Sequence, residues 1–185
     1  VTADVHNKVI ERVIRPVVDE MKVNGTPYKG FLYAGLMIND AGDPYVIEFN
    51  CRFGDPETQP IMMRLKSYLV ELILAGLDGK LPARAEWTDK VALGIVLASR
   101  GYPESSSSGD VITGLPESQD DLKVFHAGTK EQNGQILTNG GRVLCVTALG
   151  ASVAEAQARA LASCGTIAFD GIQYRRDIGW RAIGR

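Results

Sequence analysis

At 185 residues the chain is long enough to bury a core and to form one large domain or two small ones. Its 20 Lys and Arg against 22 Asp and Glu give a formal charge of −2, which excludes the basic patch of a nucleic-acid binder, and no apolar run reaches the roughly 18 residues of a membrane span. Cys51, Cys145 and Cys164, odd in number and far apart, point to a reduced, cytoplasmic setting rather than a disulfide scaffold.

The first residues carry no charged-then-apolar leader, and Val1 in place of Met implies that the chain begins inside a longer protein. From Asp4 to about Lys22, Val5, Val9, Ile10, Val13, Ile14 and Val17 recur at helical spacing, with Thr2 available as a cap. Pro16 removes a backbone donor inside this pattern, so a kink or break is expected there. Asn24-Gly25-Thr26-Pro27 ends the helix. Phe31 to Ile38 is apolar on both faces, as in the middle strand of a covered sheet. Asn39 to Pro44, rich in Asp and Gly, turns the chain back as a hairpin.

The next stretch, YVIEFNCRFGDPETQ from Tyr45 to Gln59, carries the chemistry. Strand alternation puts Glu48 and Asn50 on one face and Phe49 on the other. A carboxylate and an amide oxygen two residues apart make half of a magnesium site, because a hard cation takes oxygen ligands and keeps waters and phosphates for the rest. Arg52 shares that parity if the strand persists, which sets a guanidinium fork for a phosphate or carboxylate beside the ligands. Cys51 falls on the other face and reads as packing. The bland readings are a solvated Glu-Asn pair, an Arg52–Asp55 ion pair, and acids that merely suit the start of a helix.

Ile61, Met62, Leu65, Leu69, Leu72 and Ile73 predict one helix of about four turns, with Pro60 in its first turn and Gly76 just past its end. Leu77 to Asp89 reads as a connection to a largely β second unit. Its expected strands are 91–99, 111–113, 124–127, 135–137 and 142–149, with Asn139-Gly140-Gly141 as a hairpin turn. Ser152 and Glu155 form a capping box for a helix with a small-residue face of Val153, Ala156, Ala160, Leu161 and Cys164, closed by Gly165. Ser105 to Ser108 reads as a mobile loop. His6 and His126 have no metal-ligand spacing, and Arg175-Arg176-Asp177 reads equally as a docking cluster or a solvated one.

The segments YKGFLYAGLM (28–37), VIEFNCRFGDPETQ (46–59), FHAGTK (125–130), TNGGRVLCVTALG (138–150) and RRDIGWRA (175–182) together resemble the phosphoribosylamine–glycine ligase (glycinamide ribonucleotide synthetase) family, over nearly the whole chain and in order. The resemblance is to the C-terminal part of those enzymes. It implies an α+β fold: the C-terminal lobe of an ATP-grasp domain, an antiparallel sheet with helices over residues 1–80, followed by a small mostly-β domain over 81–185. It also implies ATP-dependent joining of glycine to phosphoribosylamine through a glycyl phosphate, in purine biosynthesis. Glu48 and Asn50 would hold the Mg2+ or Mn2+ that bridges the ATP phosphates. Arg52 and Asp55 would be phosphate- and amine-side contacts at the substrate end. Related ATP-grasp enzymes place a further metal-binding acid on the preceding strand, where this chain has Leu36 and Met37, so the number of metals stays open. The residues that clamp ATP lie in an N-terminal portion outside these 185 residues, so the chain alone is expected not to catalyse ligation. The other readings are a different ATP-grasp carboxylate–amine ligase, and a non-catalytic module that keeps the fold.

Overall fold

The computed structural model describes residues 1–82 and 84–184. They divide into two compact units, one built from residues 1–54 and 68–84, the other from 55–67 and 85–185. Among the described residues no helix is long and apolar enough to cross a membrane.

In the first unit, α1 (Ala3–Val9) is capped by Thr2, whose Oγ1 accepts from the Val5 amide at 3.3 Å. The helix runs through Pro16 after passing through a π-helical stretch, Ile10–Ile14, into α2 (Arg15–Val23). The Arg15 amide bonds back to Ile10, five residues away, and this wider turn sits immediately before the proline that lacks a donor. Gly25, at φ +76°, closes α2: the Thr26 amide reaches the Met21 carbonyl at 2.9 Å and the Gly25 amide reaches Lys22 at 3.1 Å.

Strands β1 (Tyr33–Ile38) and β2 (Pro44–Asn50) pair antiparallel, from Tyr33 opposite Asn50 to Ile38 opposite Pro44. The expectation of a middle strand in a covered sheet fails here, since this sheet has two strands. Met37, Tyr45, Val46, Ile47 and Phe49 are all exposed. Register steps from Gly35 opposite Glu48 to Leu36 opposite Val46, which leaves Ile47 as the extra residue of a bulge.

The single helix expected from residue 61 onward is two. α3 (Thr58–Arg64) ends where Leu65 turns extended, and α4 (Leu69–Leu77) starts after Tyr68. The break is fixed by distant pairing. Leu65 bridges Trp87, the Lys66 amide donates to the Glu86 carbonyl at 2.9 Å, and Ser67 Oγ accepts from the Glu86 amide at 2.7 Å. Gly76 lies inside α4, and the turn falls to Gly79 at φ +70°, with the Lys80 amide on the Ala75 carbonyl at 2.7 Å.

The second unit holds two antiparallel sheets. One has the order β3 (Val91–Ala98), β8 (Arg142–Gly150), β5 (Leu122–His126); the other has β4 (Ser108–Val111), β7 (Gln135–Asn139), β6 (Thr129–Gln132). Every residue of the central strand β8 after Arg142 is buried. One face of β3–β8 takes α5 (Val153–Cys164), whose Ala156 and Ala160 are fully buried beside Ile95, Leu144, Val146 and Ala148. The other face takes α3, seated where Gly94 has no side chain: a Cβ there would lie 3.2 Å from Pro60 Cγ and 3.1 Å from Cys145 Sγ. The Ser152 half of the capping box forms as expected, with the Glu155 amide on Ser152 Oγ at 3.2 Å; the Glu155 carboxylate accepts instead from the amide of Ala151, one residue before the cap, at 2.8 Å. The strand expected at 111–113 begins earlier, at Ser108. The serine run is tied down rather than loose: Ser107 Oγ donates to Asp110 Oδ2 at 3.0 Å and the Ser107 amide reaches the Arg100 carbonyl.

Candidate metal and substrate site

In the first unit, the C-terminal end of β2 brings Glu48 and Asn50 together. Asn50 Nδ2 donates to Glu48 Oε1 at 3.0 Å, so the two side chains share a face as strand alternation requires. The residue opposite Glu48 is Gly35, and a Cβ there would come within 3.0 Å of Glu48 Cγ. The glycine leaves the carboxylate room to lie across the neighbouring strand. An exposed carboxylate next to an amide, over a floor with no side chain, fits a hard cation as a partial ligand set. Coordination asks the Asn50 amide to present Oδ1, a half-turn about its soft terminal torsion. Among the described residues no group of three or more His, Cys, Asp or Glu gathers at one point, so a cation here would complete its shell from outside the carboxylates of this chain.

The strand stops at Asn50, before the parity argument can carry Arg52 onto the same face. Arg52 Nη1 donates to the carbonyl of Phe53 at 2.8 Å, and the Phe53 ring packs on Phe31 with centroids 4.1 Å apart. Cys51, expected to pack, is exposed, and its thiol beside the Tyr28 hydroxyl raises the phenol above its ordinary pKa.

In the second unit, Asp55 is engaged by Arg142. Nη2 lies 3.2 Å from Asp55 Oδ2 and Nη1 donates to the Asp55 carbonyl at 3.0 Å. Sequence reasoning gave Arg142 no role, because 87 positions separate the pair. The only local signal was its place directly after the Gly140-Gly141 turn.

The hairpin with its helices, followed by a small antiparallel domain, is of the ATP-grasp class, as the family match over its first part shows. Residues 1–58 match the phosphoribosylglycinamide synthetase ATP-grasp (A) domain and residues 92–181 match the phosphoribosylglycinamide synthetase C domain. The chain belongs to the phosphoribosylglycinamide synthetase family. It is 57% identical over its whole length to phosphoribosylamine–glycine ligase of Vibrio parahaemolyticus and 58% identical to that of Escherichia coli K12, and it spans 44% of each relative's length. The crystal structure of phosphoribosylamine–glycine ligase from Thermotoga maritima matches with a TM-score of 0.83 and 38% identity, covering 96% of this chain and 44% of that one. The biotin carboxylase domain of thermophilic 2-oxoglutarate carboxylase bound to bicarbonate matches at 16% identity, with a TM-score of 0.65 over 95% of this chain and 39% of its own, a likeness of fold alone.

Proposed function

We propose that this chain is part of an enzyme that uses ATP to join glycine to phosphoribosylamine through a glycyl phosphate, giving glycinamide ribonucleotide in purine biosynthesis. The observation that carries the reading is the Glu48–Asn50 contact over Gly35, inside the stretch that matches an ATP-grasp domain.

Glu48 and Asn50 would hold Mg2+ or Mn2+, which when bound would supply charge neutralisation for phosphoryl transfer. The residues of the chain do the rest by position. Glu48 offers a carboxylate free to turn outward, and Asn50 orients it by a hydrogen bond. Arg52 uses one donor on Phe53 and keeps a planar fork for an anionic group. Asp55, steadied by Arg142, faces the amine of the acceptor as a hydrogen-bond acceptor. No covalent intermediate on a Ser or Cys is required, and the exposed Cys51 takes no part. The functional division we propose falls near residue 80, with the ATP-grasp lobe before it and the small domain after it. The partner of both is the remainder of the longer protein, which supplies the rest of the ATP site. Three free thiols suit a reducing cytoplasm.

The test uses the full-length protein. ADP release should require glycine together with phosphoribosylamine, and Glu48→Gln should lower turnover on the order of a hundredfold, the size of a lost charge-stabilising contact. Equal ADP release with other carboxylates would shift the reading to another ligase, and unchanged function in Glu48→Gln would shift it to a non-catalytic module. The 185 residues alone are expected to give no glycine-dependent ADP.

A further inference from the structure

The backbone ladder of β1 and β2 stops where Tyr33 stands opposite Asn50, two residues before Arg52. Beyond it the chain is gripped by side chains, and the grip comes from the segment that leads into β1. Tyr28 donates its hydroxyl hydrogen to the Phe31 carbonyl at 2.7 Å, and the same oxygen stands beside the Cys51 thiol. The Phe31 ring packs on the Phe53 ring, with centroids 4.1 Å apart and planes tilted by 35°. Cys51 and Phe53, the two neighbours of Arg52, are thus each touched by a residue of segment 28–31.

That segment is itself anchored. Gly30 sits at φ +143°, a conformation that a residue with a Cβ rarely adopts, and the bend there returns the Phe31 carbonyl to the Tyr28 hydroxyl. Lys29 Nζ donates to the Leu77 carbonyl at 2.7 Å, a cation on the negative end of α4 that ties the segment to a helix 48 positions away. The ties converge on one side chain. Arg52 Nη1 donates to the Phe53 carbonyl at 2.8 Å, so the guanidinium follows that carbonyl, and the carbonyl follows the ring stacked on Phe31. Phe31 remains 38% exposed, so the ring pair is no core contact; what it fixes is direction. An exposed arginine without such a hold spreads over many rotamers, and ordering it on an anion costs entropy.

We infer that Phe31 and Tyr28 are positioning residues for Arg52, the Phe31–Phe53 stack setting the direction in which its guanidinium meets an anionic group. The inference rests on the proposed function, in which that fork receives an anion, and it assigns a part to two residues that the function leaves idle.

The test is a double-mutant cycle in the full-length protein, read as kcat for glycine-dependent ADP release. Phe31→Ala should lower kcat by on the order of tenfold to a hundredfold, the cost of a misplaced group, while Phe31→Tyr, which keeps the ring, should stay close to wild type. Tyr28→Phe, which loses one hydroxyl, should lower kcat by on the order of threefold to tenfold, and it keeps the cycle readable if Phe31→Ala fails to fold. In an Arg52→Met background both losses should vanish, because the side chain they aim is gone; a merely structural role would give the same loss in both backgrounds. Mn2+ affinity should be unchanged in Phe31→Ala, since Glu48 and Asn50 lie within the ladder. Nitrogen-15 relaxation of the Arg52 Nε–H, assigned by its loss in Arg52→Met, should report an ordered group in wild type and a mobile one in Phe31→Ala. Equal kinetic losses in the two backgrounds, a weakened Mn2+ site, or an Arg52 signal equally ordered without the ring overturns the inference. If any of these is found in a protein that ligates glycine, the inference fails and the function stands. If the order of Arg52 depends on Phe31 in a protein that ligates nothing, the function fails and the positioning role stands.

Discussion

The two units bury their apolar residues in opposite ways. In the second, Ile95, Leu97, Val143, Leu144, Val146 and Ala148 are sealed between α5 and the sheet, and β8 has neighbours on both edges and both faces. Among the described residues of the first, Val13 is the one large apolar residue that is buried. Ile47 on β2 is 65% exposed and Val70 on α4 is 67% exposed. A two-stranded hairpin has little stability of its own, and α4 shows Val70, Ile73, Leu74 and Leu77 to solvent. The chain, which spans 44% of the length of the relatives it matches, thus joins a unit with a sealed core to one whose apolar residues are largely exposed. The metal-fitting residues lie on the latter.

Hydrogen exchange should show the contrast at its largest. Amides of β3 and β8 are expected to exchange at least on the order of a thousandfold more slowly than those of β1 and β2, as a core differs from a locally opening segment. Equal protection in the two sheets would break the comparison. Core substitutions come next: Leu144→Ala should cost about 2–5 kcal/mol by denaturant unfolding, whereas Ile47→Ala should fall within about 0.5 kcal/mol. Gly35→Ala should leave the fold in place and weaken Mn2+ binding to the full-length protein, read by paramagnetic relaxation, because the added methyl meets Glu48 Cγ at 3.0 Å.

A thiol reagent should modify Cys51 alone in the native chain. Burial raises the Cys145 thiol and pushes Cys164 up to about 12, so those two should react only on unfolding. The smallest effect is in acid. Asp121 is held below the ordinary carboxylate value of about 3.9 by Lys90 at 2.6 Å and Arg159 at 3.2 Å. A depressed carboxylate contributes stability above its unfolded pKa and loses it as pH falls through the folded value. Asp121→Asn should therefore flatten the stability curve below about pH 4, and leave the shape of the curve between pH 6 and 8 unaltered.

Legibility in the sequence followed how local the determining physics is. The strands β3 and β8 were readable because their apolar runs are long, and the Ser152–Glu155 box because its partners are three residues apart. The Glu48–Asn50 contact was readable because the bulge at Ile47 precedes both residues and leaves their alternation intact. β6 was not, since Thr129-Lys130-Glu131-Gln132 has neither alternation nor apolar content and is a strand only because β7 pairs with it. Nor was the break after Arg64, where Leu65-Lys66-Ser67 fits a helix until residues 86–88 claim its hydrogen bonds. Arg142 escaped for the same reason.

Arg142 and Asp55 do not depend on each other equally. Its guanidinium spans a carboxylate oxygen and a backbone carbonyl of the same residue, a reach that a lysine ammonium cannot reproduce from one point. Loss of the Asp55 carboxylate leaves Arg142 its bond to the residue-55 carbonyl, whereas loss of Arg142 removes both bonds at once, so the tie depends more on position 142 than on position 55.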